Sequence, residues 1–297
     1  MSNKLLTQLI MLVLSGLMLI LSSFTLAENY YEYCPIDPGD DQNFTIEEIH
    51  NPIFQQFDRK VEVFGIPIYA VRQVEDERLL HAANVMAQYL DNNENGAIDN
   101  PEVHEAMLDN GAFMVMWKDE SDLDHLEVPQ GMLGQDLGND ETRPEWHSSG
   151  HTGRFDASLE EVWHIISHAG YAYAYPEIFF ETPGSQLSRA MDIARGGFFE
   201  EVPDPYPVGA WYTYDDQTCD YECMVTEYFY WGLTSLLGAQ EHRQTEIYAE
   251  WKLNTPVLLK EVDISFYKLL TNKEYRLPMR LPDGKYRPAE EYCWYTY

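Results

Sequence analysis

Apolar residues recur at two different spacings in the N-terminal half of the chain, and each spacing predicts a different element. An apolar stripe at helical spacing predicts an amphipathic helix over residues 77–90. The members of the stripe are Leu79, Leu80, Ala83, Met86 and Leu90. Residues 60–71, KVEVFGIPIYAV, are rich in β-branched side chains and predict a strand or hairpin that a glycine and a proline interrupt. Residues 111–117 predict a further strand, and the rest of residues 109–157 predicts extended or looping chain.

Helical patterns dominate the second half of the chain. Five helices are predicted there, over residues 159–168, 185–194, 224–237, 241–253 and 256–270. The glycine pair Gly196-Gly197 ends the second of them. The predicted fold class is therefore α+β and mostly helical, with a few strands in the N-terminal half. The pattern divides the chain into an N-terminal region, 28–145, and a helical C-terminal region, 146–297.

The first residues have the composition of an export signal. Lys4 supplies a positive start, an apolar run extends from Leu9 to Leu26, and Ala27 offers a small residue at a cleavage point. Residues 1–27 therefore predict a signal peptide, and the mature protein is predicted to be secreted or periplasmic. Because the apolar run is long, an uncleaved N-terminal membrane anchor is the alternative.

The net charge restricts the partners of this protein. Asp and Glu number 50 against 19 Lys and Arg, which gives a formal net charge of −31. Such a charge repels nucleic acid and anionic membrane surfaces and attracts cations. The sequence therefore predicts an acidic protein that binds neither nucleic acid nor an anionic membrane surface.

All four cysteines lie after the predicted signal peptide, and their number is even. They are Cys34, Cys219, Cys223 and Cys293. In an exported protein this indicates two disulfide bonds, for which three connectivities exist. The favoured one joins Cys34 to Cys293 and Cys219 to Cys223.

The segment 91–102, DNNENGAIDNPE, has oxygen-bearing residues at the spacing that calcium requires. The predicted ligands are Asp91, Asn93, Asn95, Ala97 through its backbone carbonyl, Asp99 and Glu102. Gly96 permits the sharp turn, and a second helix is predicted to start at Pro101. The segment closely resembles an EF-hand calcium loop and implies a bound Ca²⁺ within a helix-loop-helix. Two neutral Asn ligands and the lack of a second such loop favour a structural ion over a switch.

A histidine cluster lies at the start of the C-terminal region. Its members are His147, His151, His164 and His168. His164 and His168 are four residues apart on the predicted helix 159–168, so both rings can reach one ion. Glu160 and Glu161 lie one turn earlier, and Glu227 lies in the strongly apolar helix 224–237, where an acid requires a partner.

This stretch resembles, in its spacing, the zinc-binding helix of zincin metallopeptidases, which carries His-Glu-x-x-His. The resemblance implies a zinc site. Its ligands would be His164, His168 and Glu227, with His147 or His151 as alternatives to Glu227. Ile165 stands where these enzymes carry their catalytic glutamate, so Glu160 or Glu161 becomes the candidate general base.

Together these patterns predict a secreted calcium-binding protein with a zinc-dependent, peptidase-like hydrolase site. A run of aromatic residues, Tyr206, Trp211, Tyr212 and Tyr214, is a candidate lining for a peptide or glycan substrate. The alternative is a non-catalytic extracellular binding module that calcium stabilises. A carboxylate beside a bound metal would favour the enzyme, and a filled apolar helix face around both His164 and His168 would favour the module.

Overall fold

The computed structural model describes residues 43–50, 53–124 and 126–288. The predicted signal peptide or anchor and the predicted Cys34–Cys293 bond lie outside these residues. Among the residues described, no helix combines the length and apolar character that crossing a bilayer requires.

The β-strands form one mixed sheet. They are β1 (Glu47–Glu48), β2 (Arg59–Val63), β3 (Ile66–Ala70), β4 (Phe113–Trp117) and β5 (Gly134–Gly138). The strand order is β1-β2-β3-β4-β5, with antiparallel pairs up to β3 and parallel pairs from β3 to β5. Strand β4 has parallel neighbours on both sides, which explains its continuous apolar sequence, FMVMW.

The helices surround this sheet and build the second half of the chain. They are α1 (Asp76–Leu90), α2 (Pro101–Asp109), α3 (Pro144–Ser148), α4 (Ser158–Ile166), α5 (Ala172–Ala174), α6 (Pro176–Phe179), α7 (Gln186–Arg195), α8 (Tyr221–Leu236), α9 (Gln244–Ile247), α10 (Pro256–Val262) and α11 (Ile264–Leu270). A 3₁₀ turn (Glu120–Leu123) follows β4, and a π-helical turn (Ser167–Tyr171) follows α4 directly. The prediction of an α+β, mostly helical fold is confirmed.

Most predicted elements are present, with shifted boundaries. The segment 60–71 forms the β2–β3 hairpin, whose turn places Phe64 and Gly65 at positive φ. The prediction of one helix over 256–270 was wrong, because Asp263 interrupts it between α10 and α11. The Asp263 carboxylate accepts hydrogen bonds from Phe266 N and from the Tyr228 hydroxyl, so it caps α11 and ties it to α8.

Two elements appear where loop was predicted, and one predicted helix is much shorter. Strand β5 has the sequence GQDLG, and its two glycines lie against the rings of Phe113 and Trp117 on β4. Helix α3 is a single short helix within the same region. Of the predicted helix 241–253, only α9 is helical.

Helices α1, α4 and α8 pack together and position the chemistry described next. The Tyr89 hydroxyl on α1 donates to the Leu159 carbonyl on α4, 2.9 Å away in the interior. Trp163 on α4 meets Phe229 on α8 edge to face, with ring centroids 5.1 Å apart. The predicted Cys219–Cys223 disulfide is present at the start of α8.

Candidate metal centre

Helix α4 presents two ligand-type side chains to α8. Its apolar residues Leu159, Val162 and Trp163 are fully buried in the core. Glu160 and His164 are four residues apart, and this spacing places them one above the other on the same helix face. A carboxylate and an imidazole therefore project together from a helix that the core holds rigidly.

Glu227 on α8 completes a group of three. One ligand atom each from Glu160, His164 and Glu227 lies within 4.8 Å of the other two, a spacing that one metal ion could bridge. Glu227 Oε2 is 3.8 Å from His164 Nε2, and the Glu227 side chain is 12% exposed. The Tyr214 hydroxyl donates to the other oxygen of Glu227 at 3.2 Å.

The two nitrogens of His164 have different surroundings. Nδ1 lies 3.3 Å from Glu161 Oε2, so an Nδ1–H can donate to this carboxylate. Nε2 is buried and has no hydrogen-bond partner in the described part of the chain. Metal-binding histidines commonly donate one N–H to a carboxylate and direct the other nitrogen at the ion. His164 has this arrangement.

The carboxyl groups around His164 hold their protons more tightly than usual. Burial raises the pKa of Glu160 and of Glu227, and the negative charge of the neighbouring glutamates raises both further, while His164 opposes the shift. Burial and the nearby Asp136 raise the pKa of Glu161 to about 8, although the Gln135 amide opposes this. The Arg243 guanidinium offsets part of this shift at Glu160, and a bound metal ion would offset it at all three carboxyl groups.

A pocket opens beside two of these three side chains, Glu160 and Glu227. Its volume is about 380 Å³, and Glu160, Glu227, Tyr214 and Trp231 are among the residues that line it. The one basic residue of its lining, Arg243, is engaged with acceptors outside the group and donates to Glu246 at 2.6 Å. The pocket therefore gives small molecules access to a strongly acidic site.

His168, which the sequence predicts as a ligand, lies apart from this group. Its Nδ1 is 2.5 Å from Glu181 Oε2, and Glu181 accepts a second hydrogen bond from Thr226. The π-helical turn begins at Ser167, so His168 no longer follows His164 at α-helical spacing. Gly170 in this turn lets α2 approach closely, because a Cβ there would lie 2.7 Å from Val103.

The predicted site residues are thus only partly brought together. The structure places His164 and Glu227 close together, and Glu160, which the sequence suggested only as a base, lies beside them. Of the alternative ligands, His147 lies in a separate group with His81 and Asp156. The sequence could have suggested Glu160 as a ligand, because Glu160 and His164 are four residues apart and so share one helix face.

The segment 91–102 connects α1 to α2 as a tight turn. Asp91 is fully buried, and its two oxygens accept hydrogen bonds from Asn95 N and Gly96 N. Asp99 Oδ2 accepts from Asn92 N at 2.7 Å. Glu102 is exposed, and its carboxylate accepts a hydrogen bond from Tyr175.

The other predicted calcium ligands of this segment, Asn93 and Ala97, are exposed. Asp91, Asp99 and Glu102 do not form a group as close as that around His164. Calcium binding at this segment stays a prediction.

Comparisons with known proteins add no further constraint on this site. The chain matches no protein-family model, no curated protein and no solved structure. The functional interpretation therefore rests on the contacts of the described residues.

Proposed function

We propose that this protein is an exported, zinc-dependent hydrolase of the peptidase type, with a calcium ion that stabilises its fold. The observation that carries the proposal is His164 Nε2, a buried nitrogen without a hydrogen-bond partner in the described chain, which faces the carboxylates of Glu160 and Glu227. A lone pair in such surroundings is suited to a cation. The acidic pocket beside it favours an enzyme over a purely structural module.

Zinc suits this set of ligands better than calcium does. Calcium takes six to eight oxygen ligands, whereas zinc accepts a mixture of imidazole and carboxylate ligands in fourfold coordination. Glu160, His164 and Glu227 would supply three ligands to such an ion and leave a fourth position for water. Three protein ligands with one open position are typical of catalytic zinc sites.

The order of these residues on α4 assigns a role to Glu161. In His-Glu-x-x-His helices the glutamate that follows the first ligand is the general base. Glu160-Glu161-Val162-Trp163-His164 has the same order, with Glu160 in place of the first histidine. Oε2 of Glu161 is held by Gln135 and His164, whereas its Oε1 makes no hydrogen bond to another described residue. A zinc ion at His164 would lower the raised pKa of Glu161, and the ionised Oε1 would then accept a proton from water.

The proposed reaction is hydrolysis of an amide bond. Glu161 removes a proton from the water molecule, the water oxygen adds to the carbonyl carbon, the C–N bond breaks and the proton passes to the leaving amine. A zinc ion would lower the pKa of the water and polarise the carbonyl. The Tyr214 hydroxyl donates to Glu227 and lines the same pocket, and on leaving Glu227 it would donate to the oxygen that gains negative charge.

Calcium at residues 91–102 would act through the helix that precedes the loop. Helix α1 ends at the loop and holds α4 through the hydrogen bond from Tyr89 to Leu159. An ion that orders the loop would therefore stabilise the helix that carries Glu160 and His164. This gives calcium a structural role and zinc the catalytic one.

Substitution of Glu161 by Gln tests the proposal. Zinc-loaded protein should cleave internally quenched peptides, and Glu161→Gln should lower kcat about 100-fold or more while zinc stays bound, because the amide oxygen can still accept from His164 Nδ1 but cannot act as the base. Glu222→Gln, an exposed change on α8, is the matched control and should keep full activity. Full activity of Glu161→Gln, or equal activity of zinc-loaded and zinc-free protein, would contradict the proposal.

A further inference from the structure

A second group of metal-binding side chains lies away from the pocket. His81 comes from α1, His147 from α3, and Asp156 from the segment before α4. Their side chains are 5%, 6% and 0% exposed. Nε2 of His81 and Nε2 of His147 lie 2.7 Å and 2.8 Å from the same oxygen, Asp156 Oδ2.

More hydrogen-bond donors surround the Asp156 carboxylate than it can accept from. Oδ1 accepts from Arg143 N and Ser158 N. Oδ2 faces the Ser158 hydroxyl at 2.6 Å in addition to the two imidazole nitrogens. A carboxylate offers about four lone-pair positions, so it cannot accept five full hydrogen bonds. The two imidazoles are the donors that can change role, because each ring nitrogen can also present a lone pair.

The tautomer of His147 is not fixed from its other side. Nδ1 of His147 is buried and has no hydrogen-bond partner within the described ranges. No donor within the described ranges bonds to Nδ1, so no contact on that side of the ring requires the proton to be on Nε2. With Nε2 unprotonated on both rings, His81, His147 and Asp156 would offer three ligand atoms that lie within 4.8 Å of one another.

We infer that His81 Nε2, His147 Nε2 and Asp156 Oδ2 form a second zinc site, separate from the proposed catalytic one. Two imidazoles and a carboxylate are a common ligand set for zinc. Ligands at the usual zinc distances of about 2.0–2.2 Å are separated by about 3.3 Å from each other. The present separations would therefore have to widen by only about 0.5 Å.

The surroundings of this site assign it a structural role. Gly284 covers His81 so closely that a Cβ on Gly284 would lie 2.0 Å from the ring. The site is therefore closed on this side by the chain itself, unlike the pocket near His164. An ion here would join α1 and α3 to the start of α4, four residues before Glu160. This enclosure by the chain, and not the number of ligands, favours an ion that holds the fold together.

The zinc content of purified variants tests this inference. The full mature chain is loaded with zinc in the presence of excess calcium, dialysed, and measured by inductively coupled plasma mass spectrometry. Wild-type protein should retain two zinc ions per chain, and His147→Ala and His164→Ala should each retain one. His151→Ala is the matched control, because its ring stacks on Trp146 and lies outside the group; it should retain two.

A second measurement covers the case in which His147→Ala fails to fold. X-ray absorption at the zinc edge of His164→Ala should then show two imidazole nitrogens on the remaining zinc. A zinc-free His164→Ala protein, or a folded His147→Ala protein with the zinc content of wild type, would overturn the inference. If His164→Ala keeps the zinc content of wild type while His147→Ala loses an ion, the proposed function fails and this inference stands.

Discussion

Substitution of Glu227 by Gln should have opposite effects on zinc affinity and on the stability of the zinc-free protein. Glu227 is a ligand in the proposed site, and it is also a buried carboxyl group among other acids. The change removes an anionic ligand and, at the same time, relieves charge repulsion. A residue with only a structural role would not produce both effects.

The loss of zinc affinity can be estimated from the number of ligands. Four-ligand zinc sites bind with roughly 10–16 kcal/mol, which is about 3 kcal/mol for each ligand. A loss of 3 kcal/mol corresponds to about a 100-fold weaker Kd. The Kd of Glu227→Gln for zinc should therefore rise by about this factor, as measured by competition with a zinc-selective chelator.

The effect on the zinc-free protein depends on pH. Burial raises the pKa of Glu227 in the folded state above its unfolded value. Such a carboxyl stabilises the fold below its unfolded pKa of about 4.3, and this contribution is lost as the pH rises through the folded pKa. Zinc-free wild type should therefore lose stability between about pH 5 and pH 8.5. Glu227→Gln should be more stable by several kcal/mol at the upper end, because the folded pKa of about 8 lies almost four units above the unfolded value and each unit is worth about 1.4 kcal/mol.

Urea denaturation at several pH values checks this, with zinc removed and calcium in excess so that the calcium site stays constant. Glu222→Gln on the exposed side of the same helix should change neither quantity. Unchanged zinc affinity in Glu227→Gln, or a zinc-free wild type whose stability does not fall with pH, would refute the reasoning.

Three further predictions concern the neighbouring elements. His168→Asn should change the Kd for zinc by no more than about twofold, since His168 pairs with Glu181. A zinc affinity about 100-fold weaker by calorimetry would show that His168 is a ligand. Glu102→Ala should nearly abolish calcium binding, since the residue at this position supplies two oxygens in EF-hand loops, and unchanged calcium affinity by calorimetry would reject that site. Gly170→Val should lower the free energy of unfolding by about 1–3 kcal/mol, because the valine side chain would overlap Val103. A urea denaturation curve like that of wild type would show that α2 does not pack as described.

The sequence predicted helices well where apolar periodicity was long and its ends were marked. Helix α1 has a clear apolar stripe, and Pro101 marks the start of α2. Strand β5 was missed because GQDLG carries little β-propensity, and its two glycines are required by the aromatic rings of the neighbouring strand. Such tertiary requirements cannot be read from a local pattern.

The candidate site was predicted in part for a similar reason. The spacing of His164 and His168 assumes a continuous α-helix, but the chain changes to a π-helical turn at Ser167. Gly170 in that turn packs closely against α2, which is a contact between distant parts of the sequence. The pairing of Glu227 with His164 was predictable, because an acid in an apolar helix requires a partner.

The most direct test of the proposed metal centre is a crystal structure of the zinc-loaded protein with anomalous data collected at the zinc edge. The account predicts a peak at about 2.0–2.2 Å from His164 Nε2, with one oxygen each from Glu160 and Glu227 at similar distances and an open position toward the pocket. An anomalous map without a peak at His164, in crystals whose protein binds zinc in solution, would contradict it.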